Sequence, residues 1–156
     1  MIRNRSKEDT MNLLISACLL GVPCRYDGKS KMYDFIQDLQ KHHTLIPICP
    51  EQLGGLSTPR DPAERVLDRV ITVHGKDVTD AFFQGAKHTL YIAQLNHCTH
   101  AILKEKSPSC GNQMIYDGTF SGKLINGMGV CAKLLMDHGI KVYGESELEA
   151  LLKELV

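Results

Sequence analysis

Asn12-Leu13-Leu14-Ile15-Ser16-Ala17-Cys18-Leu19 decides the fold. An apolar run without polar alternation predicts a strand covered on both faces, and such strands belong to parallel sheets sandwiched between helices. Working outward, residues 33–42 predict a short helix with Phe35, Ile36 and Leu39 turned inward, and 45–49 a second short strand. A loop rich in Gly and Pro follows over 50–62. Residues 65–79 hold two alternating pieces around His74-Gly75, which predicts a hairpin. Asp77 or Thr79 is placed to cap a long helix reaching about residue 96, and Val78, Phe82, Ala86, Leu90 and Ala93 give that helix one apolar face. A third core strand is expected at 99–103, a long loop at 104–127, and a helix at 129–138 ended by Gly139. A last strand at 140–143 leads to a C-terminal helix over 146–155, with Ser146 and Glu149 as a capping box. Alternating strands and helices predict an α/β fold: one domain over 11–156, with a mainly parallel Rossmann-like sheet, helices on both faces and a small hairpin insertion. Residues 1–10 are expected to be a disordered extension, with Met11 an alternative start.

The composition narrows the function classes. A chain of 156 residues fits one domain and buries a core without staples. Lys and Arg balance Asp and Glu at a net charge of zero, so no general field for nucleic acid or membrane is expected. Trp is absent and aromatic residues are few, which leaves little platform for stacking single-stranded bases. Six cysteines would suit a disulfide-rich secreted chain only with an export signal. Arg3, Arg5 and Lys7 do precede an apolar run, but only Leu13 to Ala17 lie ahead of Cys18, against the roughly seven to fifteen residues a signal requires. No apolar stretch approaches the ~20 residues of a membrane span. The expected compartment is the reducing cytoplasm, where clustered cysteines signal metal binding or catalysis.

Three cysteines fall at predicted strand ends: Cys18 after the first, Cys49 after the second, and Cys110 a short loop beyond the third. Parallel strands place those ends on one edge, beside the crevice where open α/β sheets bind ligands. A single cysteine often only packs; three at one edge favour a metal site. Structural zinc prefers paired cysteines two to four residues apart, and no such pair exists. An iron–sulfur cluster takes thiolates at spacings the fold sets, and Cys49-Pro50 has the Cys-Pro step such sites use. Three thiolates leave one iron of a [4Fe–4S] cube open as a Lewis acid. Cys24, six residues beyond Cys18, is the thiol that would close it; Cys98 and Cys131 read as packing residues.

Several polar groups neighbour these ligands. Glu51 follows Cys49-Pro50 and is a candidate acid/base. Ser107 and Ser109 flank Pro108 just before Cys110, and Arg25, Arg60 and Lys104 are candidates to hold an anionic substrate or offset cluster charge. Gly28-Lys29-Ser30 lacks the first glycine of a phosphate loop, since Pro23 stands there. Gly127-Met128-Gly129-Val130-Cys131-Ala132 fits G-x-G-x-x-A, but no good buried strand precedes it, so dinucleotide binding is a minor reading; amides at that helix start are the alternative offer to substrate.

Taken together, Ser16-Ala17-Cys18-Leu19-Leu20-Gly21, Cys24-Arg25-Tyr26-Asp27-Gly28, Cys49-Pro50-Glu51, Thr58-Pro59-Arg60 and Ser107-Pro108-Ser109-Cys110-Gly111 resemble the thiouracil desulfidase family. The resemblance implies a [4Fe–4S] cluster on Cys18, Cys49 and Cys110, whose open iron takes sulfur from a thiocarbonyl such as that of 2-thiouracil. Water supplies oxygen and sulfide leaves, which makes the chain a non-redox desulfidase. Glu51 and Ser107 are then the catalytic residues, with Ser109, Arg60, Arg25 and Lys104 about the substrate. The implied partner is a small thiolated base or nucleoside; the absence of a fused second domain argues against tRNA. The competing expectation is a non-catalytic sensor or sulfur carrier, with Cys24 as fourth ligand.

Overall fold

The structure is a computed structural model that describes residues 10–155; the expected extension over 1–10 lies, except for Thr10, outside the described residues. The opening run forms β1 (Asn12–Ser16), buried along nearly its whole length. It pairs on one side with β2 (Thr44–Ile48) and on the other with β5 (His100–Leu103), which in turn pairs with β8 (Lys141–Gly144). All three pairings are parallel and the order is β2-β1-β5-β8. The chain thus leaves β1 toward one edge and later resumes on its other side at β5. That reversal opens a crevice beyond the carboxyl ends of β1 and β5.

Alternation along the strands divides the core into two layers. Leu14, Ala101 and Leu103 face α3 (Thr79–Leu95) and α4 (Val130–Asp137), packing on Phe82, Ala86, Leu90 and Leu135. Leu13, Ile15 and Ile102 face the opposite layer, where α1 (Asp34–His42) and α5 (Leu148–Glu154) contribute Ile36, Leu39 and Leu151. The predicted stripe of α3 is buried as expected, and Phe82 is 1% exposed. Truncating a phenylalanine so placed costs about 3–5 kcal/mol.

One short helix was not foreseen. α2 (Pro50–Leu53) replaces the start of the expected loop, with Cys49 as its N-cap and Pro50 at its first position, where a missing N–H costs nothing. α2 crosses α3 closely because two glycines meet there. A Cβ on Gly54 would stand 2.0 Å from the Ala81 carbonyl oxygen, and one on Gly85 would stand 1.8 Å from that of Pro50.

The hairpin is present, but its turn is displaced from the expected one. β3 (Ala63–Val66) pairs antiparallel with β4 (Arg69–Thr72) around Leu67-Asp68, and Leu67 takes the left-handed φ of 57° with its side chain 91% exposed. His74-Gly75 makes a second turn that returns the chain to Val70 and into α3. Within the expected loop 104–127 lies an antiparallel ribbon, β6 (Met114–Tyr116) with β7 (Leu124–Asn126). Buried Glu64 ties it to the hairpin by accepting the Gly118 and Phe120 N–H groups at 2.9 and 3.1 Å. The Ser146/Glu149 capping box does not form: the Ser146 hydroxyl bonds Glu105, and Glu147 is the N-cap of α5. Among the described residues no helix is long and apolar enough to cross a membrane.

Candidate metal centre

Four cysteines gather beyond the carboxyl edge of the sheet, and each arrives by a different device. β1 passes directly into a 3₁₀ turn, Ala17–Leu20, which carries Cys18 and is closed by Gly21 in the left-handed conformation. Cys24 is buried in the loop that follows, and Cys49 caps α2. Cys110 hangs in a tight loop docked on the start of α4. There the carbonyls of Pro108, Ser109 and Gly111 accept the N–H groups of Val130, Cys131 and Gly129 at 2.9, 2.8 and 2.7 Å. A Cβ on Gly129 would lie 2.4 Å from the Ser109 carbonyl carbon, so only glycine permits this docking. The same bonds correct the readings of Gly127 to Ala132 as a phosphate cradle or as amides for substrate. The chain's own carbonyls already occupy those donors, and the preceding strand is a surface ribbon.

The thiols crowd one another. Cys24 is pushed up in pKa chiefly by its contact with the Cys18 thiol, with a partly opposing contact to Cys49. Cys49 is pushed well above the usual thiol range, first by the Cys24 thiol and then by burial. Its Sγ also donates to the Cys24 carbonyl at 3.7 Å. Cys110 is pushed up to about 12 by burial, while the Ser109 and Ser16 hydroxyls act in the opposite direction. Ser16 Oγ accepts the Lys104 N–H at 3.0 Å, which leaves its proton free for Cys110 Sγ at 3.6 Å. All four cysteines are free thiols, and no group of three Cys, His, Asp or Glu among the described residues converges closely enough for a single metal ion. A cube of four irons makes a different demand, since each thiolate sits on a separate iron and the sulfurs stand farther apart. The set of crowded thiols, three of them buried and one with the Ser16 hydroxyl aimed at its sulfur, fits such a group.

Glu51 lies beside this cluster with both oxygens held. Oε1 accepts Arg60 Nε at 3.0 Å and Oε2 accepts Ser109 Oγ at 3.1 Å. Ser107 Oγ takes the N–H groups of Ser109 and Cys110 at 3.1 and 3.2 Å. With its lone pairs engaged, its own proton points to Ser109 Oγ, 2.9 Å away. The hydroxyl chain therefore runs one way, Ser107 to Ser109 to Glu51. Ser109, 1% exposed, is the serine that touches Glu51; Ser107 reaches it only through Ser109.

The predicted cations divide. Lys104 pairs with Glu145 at 2.8 Å, so its ammonium is committed away from the cysteines. The Arg60 guanidinium is enclosed by protein acceptors. Arg25 is half-buried beside Cys24, and among the described residues no hydrogen bond or ion pair holds its guanidinium. Ser16 was not singled out from the sequence. Its one signal is a hydroxyl within the apolar run of β1, where it is 3% exposed. A cavity of about 300 Å³ opens on Glu51 and Arg60, walled by Leu56, Ala63 and Phe82, with Lys76 also on its lining.

The sequence profile of the 2-thiouracil desulfurase family matches residues 13–147. The uncharacterized protein YbbK of Bacillus subtilis (strain 168) is 43% identical over 150 residues, covering 90% of this chain and 99% of the relative. The solved structure of a [4Fe-4S]-dependent thiouracil desulfidase, TudS, superposes with a TM-score of 0.86 at 42% identity, covering 94% of this chain and all of the other. These similarities span the sheet, the four-cysteine edge and the Glu51 loop alike, and the chain belongs to the 2-thiouracil desulfurase family.

Proposed function

We propose that this protein is a [4Fe–4S]-dependent desulfidase that removes sulfur from thiolated pyrimidines such as 2-thiouracil and releases sulfide and the oxo base. The observation that carries the reading is the Glu51 carboxylate, fixed between Arg60 and Ser109, with Ser109 Oγ also 3.5 Å from Cys110 Sγ. An acid/base group thereby stands next to a cluster ligand. Cys18, Cys49 and Cys110 would hold the cluster, and its open iron would act as a Lewis acid toward the thiocarbonyl sulfur.

The chain's own residues supply the remaining chemistry. Glu51 takes a proton from the water that adds at the thiocarbonyl carbon, and later returns it to the departing group. Ser109 steadies Oε2 during that exchange, and Ser107 keeps Ser109 turned toward Glu51. Leu56, Ala63 and Phe82 offer an apolar wall to a flat ring, and a cavity of about 300 Å³ suits a base or nucleoside. Of the cations expected from the sequence, Arg25 is the one left to meet an anionic part of the substrate.

One observation favours a second reading, a non-catalytic module whose cluster is fully ligated: the buried Cys24 thiol lies against those of Cys18 and Cys49. Iron and acid-labile sulfide, measured after anaerobic reconstitution, separate the two. The desulfidase reading expects Cys24→Ala to keep the cluster. It expects Glu51→Gln to keep it too, while sulfide release from 2-thiouracil falls about 10²- to 10⁴-fold. A wild type loaded with cluster yet inert toward thiolated bases and nucleosides would sink it.

A further inference from the structure

Arg60 was expected among the residues that hold substrate, yet its donors are already engaged. Its side chain is 7% exposed. Nε donates to Glu51 Oε1 at 3.0 Å, and Nη1 to the Ser57 carbonyl at 3.1 Å and Thr58 Oγ1 at 2.9 Å. Nη2 donates to the Cys24 carbonyl at 2.9 Å. Four of the five guanidinium N–H groups are therefore used by three separate segments of the chain. The backbone is pinned as well, since Arg60 N–H bonds the Tyr26 carbonyl at 2.8 Å.

Other bonds join these segments, Gln52 Nε2 to Thr58 Oγ1 at 2.8 Å and Cys49 Sγ to the Cys24 carbonyl at 3.7 Å, but neither touches the Glu51 carboxylate. Glu51 sits on a helix of four residues, which by itself fixes a carboxylate poorly. Cys24 belongs to the loop after the 3₁₀ turn, and Ser57 and Thr58 to the loop after α2. The Cys24 carbonyl is shared, taking Arg60 Nη2 on one side and Cys49 Sγ on the other. One planar group thus connects the carboxylate to the cysteine-bearing loop.

We propose that Arg60 is a positioning residue and not a substrate ligand. It sets the plane of the Glu51 carboxylate, so that Oε2 faces Ser109, and locks that plane to the Cys24 loop. The claim rests on the desulfidase reading for the role of Glu51. A lysine cannot substitute, because one ammonium on a flexible stem does not span four acceptors in a plane. A misplacement of about 1 Å at such a group lowers turnover about a hundredfold.

The experiment compares wild type with Arg60→Lys, both reconstituted anaerobically, for iron content and for kcat and KM with 2-thiouracil. A crystal structure of Arg60→Lys accompanies the kinetics. The expected result is a kcat lowered about 10- to 100-fold, with KM and iron content unchanged and the Ser109–Glu51 bond broken. A raised KM with kcat intact would return Arg60 to the substrate and overturn the proposal, as would unchanged kinetics. Wild type without turnover defeats the desulfidase reading alone. The crystal structure still decides the positioning role in that case, because an intact Ser109–Glu51 bond in Arg60→Lys refutes it.

Discussion

Cys98 and Cys110 stand at opposite ends of the same strand, β5, and are buried almost equally, at 6% and 4% exposed. Their surroundings differ. At the amino end, tight turns satisfy the backbone: Asn96 and Cys98 donate to Ile92 and Ala93 at 3.1 and 2.9 Å, and the Cys98 thiol is raised by burial alone. At the carboxyl end, side chains take over. Two hydroxyls approach Cys110 Sγ, a third caps its amide, and a carboxylate completes the chain. Burial therefore does not tell these two cysteines apart; the hydroxyls at the Cys110 sulfur do, and a donor there favours the thiolate that a metal needs.

The largest expected effect tests that contrast directly. Cys110→Ala should lose most of its iron and acid-labile sulfide on anaerobic reconstitution, and all turnover with them. Cys98→Ala should retain both. Equal losses in the two variants, or none in either, would erase the distinction between the two ends of β5.

A smaller effect sharpens the carboxyl end. Ser109→Ala removes the link to Glu51 but leaves the loop amides with Ser107. Iron content should hold while turnover falls about 10- to 100-fold, the range for a misplaced acid/base group. Ser107→Ala instead orphans two N–H groups. Leaving such groups unpaired costs about 1–3 kcal/mol each, so its thermal midpoint should drop below that of Ser109→Ala. A reversed order of midpoints would mean that the loop is held by the α4 contacts alone.

What was legible in the sequence follows from the same division. β1, α3 and the three strand-end cysteines were readable because burial imposes a local pattern: an unbroken run, a helical stripe, a cysteine where the run stops. Interactions between distant segments left no such mark. The β3–β4 turn uses Leu67 at positive φ, a residue that local turn chemistry disfavours, so the visible Gly75 drew the expectation to the wrong turn. The β6–β7 ribbon depends on Glu64, some fifty residues earlier. Arg60 and Lys104 were expected about the substrate as cations, but only their long-range partners show that Arg60 is enclosed by Glu51 and Cys24 and that Lys104 pairs with Glu145. Ser146 met Glu105 before it could cap its own helix.

The smallest expected effect asks whether everything at the carboxyl end is chemical. Asp77 lies there, at the start of α3, where its Oδ1 accepts the Thr79 N–H at 2.9 Å. That contact to Thr79 holds the Asp77 carboxyl below its ordinary value of 3.8, with the Arg69 pair a lesser cause. A depressed carboxyl stabilises the fold at pH values above its unfolded pKa and loses that contribution as pH falls through the folded one. Asp77→Ala should therefore lower the thermal midpoint at pH 7, and the gap to wild type should close as pH drops below 3.8. Val78 is the N-cap of α3 and no side chain caps it, so neither Asp77 nor Thr79 takes the expected capping role. The Arg69 partner is exposed and 2.8 Å away, so its ion pair is screened by salt, whereas the hydrogen bond from Thr79 is not. If the Thr79 bond dominates, molar salt leaves most of the gap in place; if the ion pair dominates, salt removes it. Iron content and turnover should stay at wild-type levels throughout, because no bond connects Asp77 to the cysteines or to Glu51. A loss of cluster in this variant would show that the α3 start and the cysteine edge form one cooperative unit, and that the division between chemistry and packing runs along β5 and not across it.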